Sequence, residues 1–201
     1  MGVNMALTVV EIVDACESHK VGAGTKLWAL LWACTFIGLP YAAYLLRGDA
    51  VNKQNLALVE EINGRARAAF KSYIGADPQY IDTATVNKNG LLTGSGIAYL
   101  NGTIYFMQAG SATSFRGSQI RDFQYTVDTS APIVLFGTNN VGSQLQVDII
   151  NLQQAHRAHL NSGLFLTIAD IAYPEWHFMT SDRTMLKRWN EILQQVRDGV
   201  I

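Results

Sequence analysis

The sequence predicts an α+β protein that contains one transmembrane helix, and three observations lead to this prediction. An uncharged apolar run occupies residues 27–46, a series of short strand patterns follows residue 90, and an amphipathic helix pattern ends the chain. Strands in series that end in one apolar-faced helix are typical of a small antiparallel β-barrel or roll closed by that helix. We expect four parts: an N-terminal amphipathic arm at 1–26, a transmembrane helix at 27–46, a juxtamembrane stalk helix at 47–75 and a globular domain at 76–201.

The arm has the spacing of a short amphipathic helix over residues 5–19. Apolar residues recur on one helical face and acidic residues on another, and Thr8 with Glu11 three positions later forms a capping-box pattern. Because the polar face is acidic, it suits a protein surface better than anionic lipid. We therefore expect this helix to dock on protein; a marginal helix without a role is the alternative.

The apolar run predicts a membrane span. It contains no charged side chain, and a helix of about 20 residues crosses the roughly 30 Å core of a bilayer. Aromatic residues near both ends fit the two membrane interfaces. A buried core helix is the alternative. The residues expected to mark the span are Leu27, Trp28, Trp32, Pro40, Tyr41, Tyr44 and Leu46.

The position of basic residues predicts the orientation of the chain across the membrane. Two Lys residues lie within 20 residues before the run, and three Lys or Arg residues lie within 20 residues after it. Cytoplasmic flanks carry the excess of Lys and Arg. We therefore expect a single-pass protein with its C-terminal domain in the cytoplasm.

Composition excludes several classes of function. The formal net charge is -1, and from Ala76 onward ten Asp and Glu residues outnumber eight Lys and Arg residues. Nucleic-acid binding needs a basic surface, so no nucleic-acid partner is expected. The only two cysteines, Cys16 and Cys34, precede the globular domain, which therefore has neither a disulfide framework nor a thiolate metal site.

Helical spacing returns between Val51 and Ile74, and Gly75 followed by Pro78 supplies the stop. The apolar stripe of this helix needs a cover. The following domain is the expected cover, and a second copy of the helix is the alternative.

Strand patterns begin at Gly90, and Asn101-Gly102 is the strongest hairpin signal in the chain. A helical patch at 151–160 interrupts the strands. The final helix begins at Ser181 or Asp182, with Trp189 on its apolar face. The further strand candidates are 112–116, 120–127, 133–136, 145–149, 164–170 and 175–180.

This order of elements resembles the pleckstrin-homology-like (PH-like) fold, in particular small bacterial versions attached to membrane anchors. The resemblance covers residues 90–198, although the stretch from Asp128 to Gly163 departs from a minimal domain of this kind. It is carried by the hairpin at 96–106, by 119–123, by the last hairpin at 168–178 with its Asp-x-x-x-Pro-x-aromatic pattern, and by the closing helix with Trp189. The resemblance implies an uncharacterised bacterial family without a catalytic motif. Binding of lipid headgroups is not implied, because the first hairpin lacks basic residues.

Few residues suggest chemistry. His156 and His159 have a spacing that suits a metal, and a third ligand would have to come from His177 or from an Asp elsewhere, but we expect them to be polar surface histidines. Asp170 and Glu175 flank the Pro174 turn, where an Asp most often binds its own backbone. The domain has no nucleophile elbow or cysteine. We therefore expect no enzyme, no cofactor and no metal.

The sequence is best explained by a non-catalytic, membrane-anchored interaction or assembly module. Its expected partners are the lipid bilayer and either other proteins or further copies of the chain. Binding of a small ligand or lipid is one alternative, and an accessory role in secretion, conjugation or phage exclusion is another. Aromatic and Arg residues near turns are the candidate interaction surface, although strand alternation places Trp176 in the core. These residues are Phe115, Arg116, Tyr173 and Trp176.

Overall fold

The computed structural model describes residues 7–33, 41–42, 48–88, 90–128 and 161–201. In these residues the chain forms three helices and nine strands. The helices are α1 (Ala23–Ala33), α2 (Asp49–Ile74) and α3 (Arg183–Arg197). The strands are β1 (Val10–Glu11), β2 (Cys16–Glu17), β3 (Tyr80–Lys88), β4 (Leu91–Leu100), β5 (Thr103–Gln108), β6 (Ser111–Arg116), β7 (Ile120–Thr126), β8 (Gly163–Ile168) and β9 (Glu175–Met179).

The larger sheet is antiparallel and is centred on β4. Its order is β1-β6-β5-β4-β2, with β3 also paired to β4. Because β3 pairs along one whole edge of β4, strands β2 and β5 share the opposite edge. The predicted hairpin turn joins β4 to β5, where Asn101 and Gly102 both have positive φ, as a type I′ turn requires.

The smaller sheet, in the order β7-β8-β9, shares one core with the larger sheet and α3. Phe106 of β5 meets Trp176 of β9 edge to face, with 5.7 Å between the ring centroids. Helix α3 begins where predicted, because the Asp182 carboxylate accepts hydrogen bonds from the backbone N–H groups of Thr184 and Met185. Its apolar face, with Trp189, fills this core.

Helix α2 covers the other face of the larger sheet, so the domain supplies the expected cover for its apolar stripe. Ala66 and Phe70 of α2 are completely buried there. Gly94 of β4 lies directly beneath Ala66, and a Cβ on this glycine would stand only 2.6 Å from the Ala66 Cβ. The glycine therefore allows the helix and the sheet to approach closely.

The predicted N-terminal amphipathic helix is wrong. Residues 7–19 instead form an extended arm, in which β1 pairs with β6 and β2 pairs with β4. The arm is rich in β-branched residues, which favour extended backbone. Pairing with two open sheet edges satisfies its backbone groups better than a short isolated helix does.

The predicted transmembrane helix is also contradicted. Within the span at 27–46, the structure describes residues 27–33, which belong to helix α1 (Ala23–Ala33), and residues 41–42. None of the helices in the described ranges combines the length and the apolarity needed to cross a membrane. A single-pass location with a cytoplasmic C-terminal domain is therefore not supported.

Other predictions are not tested. Residues 129–160, which include two predicted strands and the helical patch, lie outside the described residues, as do residues 34–40 and 43–47. The boundaries between the four predicted parts and the PH-like resemblance remain predictions.

Candidate interaction surface

The arm packs against the turn that joins β5 to β6. The backbone N–H groups of Ile12 and Val13 both donate to the carbonyl of Gly110, at 2.9 and 3.1 Å. Gly110 has φ +82°, and a Cβ at this position would overlap the carbonyl oxygen of Val13. Val13 itself is buried against the face that α2 covers. The arm is thus part of the fold.

Three contacts outside the strand pairs hold the two ends of the arm. Near the start, the backbone N–H of Leu7 donates to Asp170 Oδ2 at 3.0 Å. Near the end, Asn55 of α2 accepts from the His19 N–H at 2.8 Å and donates to the His19 carbonyl at 3.1 Å. The N–H of Ser18 also donates to the Gly90 carbonyl. Helix α1 begins four residues after His19, so its start is held close to the domain.

Helix α1 exposes an apolar surface that we call the α1 surface. Its five large apolar side chains are 42% to 63% exposed, whereas Ala29 is only 1% exposed. Tyr41 lies beside this surface, with 5.4 Å between its ring centroid and that of Trp32. The large side chains of the α1 surface are Leu27, Trp28, Leu30, Leu31 and Trp32.

The α1 surface is wide. At about 100° per residue, its five side chains span an arc of about 200° around the helix. Together they expose on the order of 500 Å² of apolar area, which is near the upper end for the largest patch on a monomeric protein. Continuous apolar patches of this size mark sites of contact with other molecules.

The structure brings together only part of the predicted membrane-span residues. Leu27, Trp28 and Trp32 lie on α1 with Tyr41 beside them, and they contribute to the α1 surface. Pro40, Tyr44 and Leu46 lie outside the described residues.

The four predicted interaction residues do not form one surface. Phe115 and Trp176 are buried, and both pack against Phe106 in the core. Arg116 and Tyr173 are exposed. The burial of Trp176 agrees with the strand alternation in its sequence.

Asp170 has the structural role expected for a turn residue. Its carboxylate accepts hydrogen bonds from the backbone of Tyr173, Ala172 and Leu7, at 2.8, 2.9 and 3.0 Å. These N–H groups, with Tyr173 the largest contributor, hold the pKa of Asp170 below its usual value. The geometry therefore joins the last hairpin to the N-terminal arm, and Glu175 is exposed beside it.

His177 is enclosed by its neighbours. Its ring stacks on Phe165 with 4.0 Å between centroids, and its Nε2 lies 3.3 Å from the Ser162 carbonyl. Burial lowers the pKa of His177, and the hydrogen bond to Ser162 partly opposes this effect. In the described residues no three His, Cys, Asp or Glu side chains are placed to hold a metal. His156 and His159 lie outside the described residues.

Strand β3 and the cluster around its Asp82 were not predicted from the sequence. Asp82 Oδ2 accepts from Trp189 Nε1 at 2.7 Å and also from Arg188. The residues of β3 do not alternate between apolar and polar, although their content of Ile, Thr and Val is a strand signal.

Comparison of the chain with protein-family models, curated proteins and solved structures finds no match.

Proposed function

We propose that the protein is a non-catalytic assembly module in which copies of the chain associate through the α1 surface. The observation that carries the proposal is the exposure of five large apolar side chains on helix α1. Removing apolar area from water contributes about 25 cal/mol per Å², so contact between such surfaces is favourable.

The area of the α1 surface suits a partner with the same surface. Two copies of a patch of about 500 Å² bury about 1,000 Å² in total, which is the lower bound for a specific protein interface. Further copies add to this area. The arc of about 200° is wider than the stripe of about 100° that one neighbour covers, which favours a bundle of three or more helices.

The charge of α1 also suits self-association. Lys26 in the first turn is its only charged residue. Copies can therefore pack along the apolar residues without burying a charge, provided that Lys26 remains at the solvated end. The arm presents α1 in the same way in every copy, and such uniform presentation favours a symmetric assembly.

Sedimentation analysis of the full chain tests this proposal. We expect a mass that is a multiple of 22.1 kDa. The double variant Leu27→Glu/Leu31→Glu places two charges on one helical face, so we expect its association to weaken by at least about 100-fold. Ile171→Glu is the matched control, because Ile171 is 95% exposed in a different part of the molecule.

Two outcomes would contradict the proposal. One is a monomer of 22.1 kDa at every protein concentration. The other is a monomer that binds phospholipid vesicles through Leu27 and Leu31, since the surface would then serve lipid and not a second copy.

A further inference from the structure

Strand β3 has one unpaired edge in the described part of the chain. Its inner edge pairs with β4 in a continuous register from Tyr80↔Tyr99 to Lys88↔Leu91. No described strand pairs with its outer edge. Nine residues of strand extend over about 30 Å, so this edge presents a long row of backbone donors and acceptors.

β3 lacks three of the devices that usually block strand addition, namely proline, a bulge and a short length, and its charged residues are Asp82 and the terminal Lys88. Proteins protect edge strands with proline, bulges, short strands or inward-pointing charges. β3 contains no proline, and its register with β4 has no bulge. The carboxylate of Asp82 is turned towards Arg188 and Trp189 of α3, which bind it. The outer edge therefore remains suitable for pairing.

A groove adjoins β3 near each end. Near Tyr80, a groove of about 630 Å³ lies between the strand and α3, with Tyr99 and Ile192 in its wall. Near Thr85 and Asn87, a second groove of about 380 Å³ lies between the strand and α2. Its apolar lining residues are Leu56, Val59 and Leu92.

The two grooves lie on opposite faces of the sheet. Asp82 contacts α3, so the even-numbered side chains from Tyr80 to Val86 face α3, whereas Thr85 donates to the Val59 carbonyl of α2. Side chains of a strand alternate between faces. In a strand added to this edge, one side chain can therefore point towards each groove only if the two residues are an odd number of positions apart.

We propose that the outer edge of β3 binds an extended segment of a partner protein as an additional strand. Only an extended polypeptide offers backbone donors and acceptors at the spacing of this edge. The segment carries two large apolar or aromatic side chains five or seven residues apart, and one enters each groove. This surface is separate from the α1 surface.

Selection from a phage-displayed library of random 12-residue peptides against the full chain tests this proposal. We expect the selected peptides to share two large apolar positions five or seven residues apart. A synthetic peptide of the selected sequence should slow hydrogen exchange at those β3 amides that do not donate to β4. Tyr80→Ala should weaken its binding by about tenfold, because contact in the larger groove is lost.

Two further variants make the test specific. Leu56→Asp alters the smaller groove at a side chain that is 65% exposed, so it should leave the fold intact and weaken binding. Tyr173→Ala is the control, because Tyr173 is 49% exposed, close to the 45% of Tyr80, and lies outside both grooves. The proposal is overturned if no peptide is selected, if all β3 amides are already protected in the free chain, or if Tyr80→Ala and Tyr173→Ala bind equally.

Discussion

The carboxylate of Asp82 in β3 accepts a hydrogen bond from the indole N–H of Trp189 in α3, with 2.7 Å between Oδ2 and Nε1. Trp189 is completely buried, whereas the Asp82 side chain is 17% exposed. Arg188 binds the same oxygen from the solvent side. This cluster joins the last helix to the outer strand of the larger sheet.

Replacing Trp189 with Phe removes the indole donor and keeps an aromatic ring in the core. A hydrogen bond to a charged group contributes about 1.5 to 3 kcal/mol, so we expect the free energy of unfolding to fall by about 2 kcal/mol. Urea denaturation measures this change. Tyr173→Phe, which removes one polar group from a side chain that is 49% exposed and lies outside the α1 surface, should change stability by less than about 0.5 kcal/mol. Equal effects of the two variants would exclude a stabilising role for the Asp82 contact.

Gly110 and Gly102 form a matched pair for testing the arm. Both have positive φ, +82° and +77°, but a Cβ on Gly110 would overlap the Val13 carbonyl, whereas no atom lies within 4 Å of a Cβ on Gly102. Both alanine variants experience backbone strain of about 1 kcal/mol. Only Gly110→Ala should displace the arm and speed hydrogen exchange at residues 10–19. Unchanged exchange in this variant would show that the arm does not depend on the contact.

The Asp170 carboxylate makes the attachment of the arm dependent on pH. Its pKa is lower in the folded protein than in the unfolded chain, so its contribution to stability is present above the unfolded pKa and is lost as pH falls through the folded pKa. We expect Asp170→Asn to be less stable than the wild type at pH 6, with the difference shrinking below about pH 4. Asp77→Asn is the control at a carboxylate that is 94% exposed. A difference that stays constant with pH would contradict this assignment.

His177 should affect stability in a higher pH range. Burial lowers its folded pKa, so protonation favours the unfolded chain, and stability falls as pH decreases from about 6.5 towards the folded pKa. His177→Gln should abolish this slope in denaturation curves recorded between pH 7 and pH 5. The exposed His19 provides the control variant His19→Gln, which should retain the slope. A slope that is unchanged in His177→Gln would assign it to another group.

Local sequence signals predicted the elements that depend on neighbouring residues. The Asn101-Gly102 turn and the Asp182 cap act within four residues, and both are present in the structure. The arm could not be predicted in this way, because Val10 pairs with Ala112 and Cys16 pairs with Leu92, far along the chain. The spacing of its apolar residues is that of a helix, but in the folded chain the arm pairs with these sheet edges and becomes extended.

The candidate site was predicted in part. The apolarity of Leu27, Trp28 and Trp32 was evident, and their uncharged context indicated lipid, whereas no helix among the described residues has the length and apolarity needed to span a bilayer. The contact between Asp82 and Trp189 joins residues 107 positions apart, and no local pattern indicates it. The two grooves beside β3 likewise depend on the packing of α2 and α3.

Disulfide cross-linking on α1 measures directly whether copies of the chain associate through the α1 surface. A single cysteine is introduced by Leu30→Cys in a Cys16→Ser/Cys34→Ser background, since Leu30 is 63% exposed. Disulfide formation requires Cα atoms within about 7 Å, so mild oxidation reports direct contact between helices. The control places the cysteine at Ile171 in the same background.

We expect mild oxidation to convert the Leu30→Cys protein into a covalent dimer, whereas the Ile171→Cys protein should stay monomeric. Addition of Leu27→Glu/Leu31→Glu should prevent the cross-link. A Leu30→Cys protein that remains monomeric, or cross-links no faster than the Ile171→Cys control, would contradict assembly through α1.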